Sequence, residues 1–196
     1  MLRTHSVAIE RRVRAAMLHW PTSQELESDS QLGGNRHYQD LRATSWQAAK
    51  DALSYERCLL SRLAKTQDQS SILDFDNEDF QFEVSAYLSG LDVGVASASL
   101  ALAAAHCIPC SSCNGGLLNE GHAEEYPLVV FFCRRRPVKH LLAAAEAAKI
   151  GLVNESGGAL VAYSGSLNDM LNFATEIINR RNDFEPQKAS LFPSRN

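Results

Sequence analysis

A chain of 196 residues, 45% hydrophobic and 21% charged, has the composition of a folded protein with a real core, which excludes a disordered or low-complexity polypeptide. Its 19 basic and 23 acidic residues leave a net charge of −4, so nothing draws the molecule as a whole to nucleic acid or an anionic membrane; nucleic acid could be engaged only through a local arginine patch. Five cysteines, an odd number with three clustered, do not form the pattern of a disulfide framework. With no secretory leader pattern and no apolar run of bilayer length, the expectation is a cytoplasmic protein without membrane association.

Taken in chain order, residues 1–20 read as a basic helix, with Val7, Ala8, Val13, Ala16, Met17 and Trp20 apolar, Arg3, Arg11, Arg12 and Arg14 charged, and Pro21 as the stop. Residues 22–34 are polar and end in Gly33-Gly34, as in a loop. Residues 35–65 predict a long helix whose stripe of Trp46, Ala49, Leu53, Leu60 and Leu63 is interrupted by Glu56, which argues against a coiled-coil seam and for packing on a sheet or a neighbouring helix. Residues 66–83 carry six acids (Asp68, Asp74, Asp76, Glu78, Asp79, Glu83) and no Lys or Arg, a solvated face or a docking surface for a basic partner.

From residue 80 the pattern changes. Phe80, Phe82 and Val84 alternate with Gln81, Glu83 and Ser85, the period of a half-buried strand. Residues 91–105 are small and apolar on all sides, a tightly packed interior helix in which Gly94 implies close backbone approach. Strands are expected at 108–114 and 128–132, and a helix begins at Pro137 and stops at Gly151. A hairpin is expected across Ser156-Gly157-Gly158, and a last helix opens with the capping-box-like Ser166-Leu-Asn-Asp169. The order β-α-β-β-α-β plus a further β-α specifies an α+β protein with a ferredoxin-like core. That core spans residues 80–181, preceded by an N-terminal helical extension over 1–67 and followed by a loose tail over 182–196.

Chemistry-bearing residues concentrate between His106 and Glu125. Cys110-Ser-Ser-Cys113 has the form of a zinc knuckle, to which His122 (or Cys107 or His106) could add ligands, but no second knuckle exists. In a regular strand, moreover, Cys110 and Cys113 would point to opposite faces. Cys113 followed by Asn114-Gly115-Gly116 could set a thiol beside free N–H groups, with His122 as base and Glu124 orienting its ring. The third reading is a binding rim built from Asn114, Gly115 and Gly116, together with Arg134, Arg135 and Arg136 at a strand end before a helix N-terminus.

Phosphate-binding, dinucleotide-binding, nucleophile-elbow and His-Glu-x-x-His motifs are absent. The sequence therefore leads to a non-catalytic binding or assembly protein without a cofactor. Its partner would be another protein, a second copy of itself, or a small anionic ligand. The alternative is a hydrolase-like cysteine- or zinc-dependent enzyme centred on Cys113 and His122.

Overall fold

The computed structural model describes residues 4–27, 32, 38–66, 77–116 and 124–185. In chain order the described elements are β1 (Arg11–Arg12), α1 (Ser23–Glu27), α2 (Trp46–Lys65), α3 (Glu78–Leu88), α4 (Ala96–Ala104), β2 (Ile108–Asn114), β3 (Pro127–Phe132), α5 (Val138–Ala147), β4 (Gly151–Asn154), β5 (Leu160–Tyr163), α6 (Leu167–Asn179) and α7 (Arg181–Phe184). The five strands form one sheet in the order β1-β4-β5-β3-β2. All neighbours are antiparallel except β1 and β4. No helix among the described residues is long and apolar enough to cross a membrane.

The period-two pattern of the strands assigns each face of the sheet. Val129, Phe131, Leu152, Leu160 and Ala162 turn toward the helices and share one core with α2, α4, α5 and α6. The alternate residues Leu128, Val130, Phe132, Val153, Val161 and Tyr163 turn to the opposite face, where parts of the N-terminal segment (Val7, Trp20, Leu26) and Tyr38 pack on them.

Every residue of α4 is buried. Its Ala/Ser composition follows from that position, because α2, α6 and the sheet all close on it and only small side chains let backbones approach so near. Val95, at the N-cap of α4, has no side chain to satisfy the helix's first N–H groups. Glu56 of α2 does so instead: its Oε1 accepts from the N–H of Gly94 (2.6 Å) and Ala96 (3.1 Å), and its Oε2 from Ser97 (2.9 Å). Burial pushes this carboxyl's pKa up, against the opposing pull of the N–H donors. The acid that interrupts the apolar stripe of α2 is thus the cap of another helix.

Several sequence expectations are corrected. Residues 80–85 are not a strand but lie within α3. Asn77 caps that helix, its Oδ1 accepting from Asp79 and Phe80, while Glu78 and Asp79 lie in the first turn and complement the helix dipole. The fold is α+β as expected, but its first strand is β1 rather than residues 80–85, and the sheet order, with β1 at the edge beside β4, differs from the ferredoxin-like plan expected over residues 80–181.

Residues 4–20 are not a helix. Apart from a 3-10 turn at Ala15–Met17 they are extended, because their backbone groups find partners in the sheet: His5 N–H on Gly165 O, Leu152 N–H on Glu10 O, and Arg14 N–H on Asn154 Oδ1. The long helix starts at Trp46, where Ser45 Oγ accepts from Ala48 N–H. Residues 22–27 are not loop throughout; Thr22 and Glu25 form a reciprocal capping box for α1.

Strands β2 and β3 and the β4–β5 hairpin lie where the sequence places them. Helix α5 ends with Lys149, not Gly151, in the left-handed conformation (φ +61°). Gly151 instead sits in β4 because a Cβ there would overlap the Tyr163 ring. Gly94 does lie at a close approach, 2.6 Å from a built Cβ to Leu167, but it precedes α4 and adopts φ +98°. The α6 start uses Ser164 rather than Ser166 as its side-chain link, through Ser164 Oγ to Asp169 Oδ2 (3.2 Å). Of the tail, residues 182–184 belong to α7, and Phe184 is buried against Trp46 and His140. Residues 186–196, like Asp68, Asp74 and Asp76 of the acidic run, lie outside the described residues.

Candidate functional site

Strand β2 connects two separate chemical neighbourhoods. Its seven residues span about 20 Å at ~3.3 Å per residue, so the arginines after β3, beside its start, are far from the Asn114-Gly115-Gly116 turn at its end. The sequence-selected residues divide between two cavities accordingly.

At the start of β2, a cleft of about 480 Å³ lies between the C-terminus of α4, the ends of β2 and β3, and α7. Ala103, Ala105 and Ile108 give it an apolar floor, and Arg42, Arg134 and Arg136 stand around it with His106. The Arg134 guanidinium lies over the Trp20 ring, 4.4 Å from its centroid, a cation–π contact that fixes the charge at the cleft wall. Arg136 Nη2 donates to Glu185 O at 3.4 Å. Arg42 is paired with Asp40 (2.6 Å) and holds that carboxyl below the usual carboxylate range, so its charge is already answered. Arg134 and Arg136 carry the positive potential of the cleft. Arg135 is also exposed but does not line it.

The second cavity, about 1180 Å³, lies on the sheet face away from the helices. Val130, Val161 and Tyr163 form its floor, and Glu10, Asp92, Glu124 and Glu155 its rim; among its described lining residues there is no Lys, Arg or His. Cys110 and Cys113 both line it. The expectation that they face opposite ways fails because the register shifts between Pro109 and Ser111. Cys110 is the extra residue of a β-bulge, which resets the alternation.

Burial pushes the Cys110 thiol pKa up to about 12, and its Sγ donates to Val130 O at 3.4 Å. The Cys113 sulfur accepts the Gly115 N–H at 3.4 Å. Asn114 is buried and tied to the protein, Nδ2 donating to Val93 O and Oδ1 accepting from Gly116 N–H. Gly115 is required there, since it adopts φ +71° with a Cβ position 2.8 Å from the Tyr126 backbone.

The structure thus brings together Cys110, Cys113 and Glu124 around one groove, and Arg134 and Arg136 around the other cavity. His122 lies outside the described residues. Among the described residues, no group of three or more His, Cys, Asp or Glu side chains could hold a metal ion. The sequence reading missed Trp20 and Arg42 as cleft residues. It also missed the facing of Cys107 and Cys133, which register alone could have revealed had the bulge been foreseen.

No protein-family model matches this chain, and neither the curated proteins nor the solved structures contain a match to it. The chemistry of the two cavities carries the functional reading.

Proposed function

We propose that this is a non-catalytic, cytosolic binding protein whose arginine cleft takes a small ligand with an apolar body and an anionic head. One observation carries the reading: Arg134 and Arg136 flank an apolar floor in a cavity of about 480 Å³, within the range of small-molecule sites. The floor would remove the ligand's hydrocarbon from water. The guanidinium forks would meet a carboxylate, sulfonate or phosphate. Five cysteines with no disulfide among them suit a reducing compartment.

Titration with 1-naphthoate and its neutral amide, followed by calorimetry or NMR, tests the proposal. The acid is expected to bind more tightly than the amide and to weaken with salt. The Arg134→Glu/Arg136→Glu variant should lose roughly tenfold or more in affinity, the scale of one charge-assisted hydrogen bond. Equal binding of acid and amide, or binding indifferent to the charge reversal, would refute it.

A second reading, hydrolase-like chemistry at Cys113, is favoured by the placement of its sulfur on the Gly115 N–H in the same groove as Glu124. Alkylation mapped by mass spectrometry across pH separates the two. Exposed Cys58 should react first, and Cys110, with its pKa near 12, about a thousandfold more slowly than an ordinary thiol at pH 8. A nucleophilic Cys113 would be modified at a pH well below ~8.5, with a profile displaced by His122→Ala. An ordinary profile, unmoved by that substitution, would end the second reading; the same variant's zinc content, by elemental analysis, tests its metal-dependent form.

A further inference from the structure

Two buried cysteines bracket the β2–β3 hairpin. Ile108 pairs with Phe132 at this end of the ladder, and Cys107 and Cys133 are the next residue on each chain. Strand alternation turns both toward the helix layer, and both belong to the helix-side core at 1% exposure, whereas Cys110 and Cys113 lie on the other face. Cys107 Sγ donates to Ala105 O (4.0 Å) and Cys133 Sγ to Arg134 O (2.9 Å), and the neighbouring Cys133 thiol, followed by burial, drives the Cys107 pKa well above its ordinary value. Cys107 also lines the arginine cleft, which gives the pair a route to solvent beside Arg134 and Arg136.

We propose that Cys107 and Cys133 form a two-coordinate site for a soft monovalent metal ion, copper(I). Thiolate ligands select this ion, which is satisfied by two sulfurs. The uptake step is Cu⁺ plus two thiols giving a bis-thiolate complex and two released protons; the metal stays Cu(I) and no electron moves. The complex carries one negative charge, which the neighbouring Arg134 and Arg136 offset. A zinc ion wants four ligands, and among the described residues no group of three or more side chains could supply them.

The test is anaerobic titration of the full chain with copper(I) against bicinchoninate, with proton release and the copper K-edge recorded on the same samples. Wild type is expected to keep one equivalent, to release two protons per copper, and to show the pre-edge signature of two-coordinate sulfur ligation. Cys58→Ser and the Cys110→Ser/Cys113→Ser variant should behave like wild type, whereas Cys107→Ser, Cys133→Ser and Cys107→Ala should keep none. Circular dichroism identifies any variant that has failed to fold, and the Cys110→Ser/Cys113→Ser result decides the matter without either bracket residue being touched. Failure of wild type to compete with bicinchoninate, retention of copper by a folded Cys107 variant, or loss of copper in the Cys110→Ser/Cys113→Ser variant each overturns the proposal. It stands apart from the anion reading, since naphthoate binding depends on the guanidiniums and copper retention on the sulfurs.

Discussion

Replacing Glu56 with alanine is expected to lower stability by about 3–5 kcal/mol, because three N–H groups at the start of a fully buried helix lose their acceptor at once. Solvent cannot take over, since Glu56 is fully buried, as is α4. In a chain of this length each kcal/mol moves the midpoint by ~2–4 °C, so thermal denaturation should show a drop of roughly 6–20 °C. Glu56→Gln keeps one carbonyl acceptor but turns an NH₂ toward N–H donors, and should cost about 1–3 kcal/mol.

The pH dependence has a definite sign. Burial raises this carboxyl's pKa in the folded chain, so its contribution is greatest below the unfolded value of about 4.5 and is lost as pH rises through the folded value. The stability gap between wild type and Glu56→Gln should therefore narrow from pH 4.5 toward neutrality. A Glu56→Ala protein that melts with wild type would show that α4 does not depend on this cap.

Gly151→Ala is expected to cost about 2–4 kcal/mol, more than an exposed strand glycine would suggest. A methyl group there collides with the Tyr163 ring across the β4–β5 hairpin, and overpacking of this kind costs ~1–3 kcal/mol by itself. Tyr163 has little freedom to yield. Its hydroxyl accepts from Glu10 N–H (3.0 Å) and donates to Ala8 O (3.1 Å), so moving the ring releases the N-terminal segment as well. Tyr163→Phe isolates the second part: it should cost about 1–2 kcal/mol and speed amide exchange in residues 8–12 while leaving α4 and α6 protected. Exchange that accelerates uniformly across the chain would mean that this tyrosine does not specifically hold β1.

The elements legible in the sequence are those whose local pattern and final environment agree. Leu128-Val-Val-Phe-Phe132 is β-branched and aromatic and forms β3; the all-small run before Cys107 is an interior helix; Ser156-Gly157-Gly158 joins two strands. The elements misread are those that tertiary contacts decide. Phe80, Phe82 and Val84 alternate as a strand would, yet α3 forms and leaves Phe82 74% exposed; Asn77 and the two acids after it were the better signal. The mix of apolar residues and arginines over 1–20, closed by Pro21, reads as a helix, but the fold offers that segment's backbone partners more than 130 residues away.

Of the site, the arginine cluster was visible because charge at a strand end has nowhere to be buried. The aromatic that fixes Arg134 was not, because Trp20 arrives from the distant N-terminal segment. The facing of Cys110 and Cys113 was misread because of one inserted residue. The bulge at Cys110 turns it to the same face as Cys113 and leaves the helix-side pairing to Cys107 and Cys133.

The parallel pairing of β1 with β4 also bears on how the molecule is made. Glu10 and Tyr163, which join the two ends of this arrangement, are 153 residues apart. At ~5–20 residues per second, a ribosome exposes the first of them roughly 8–30 s before its partner exists. Throughout that interval the segment has no sheet to join, and its Arg11 and Arg12 face solvent even in the finished edge strand.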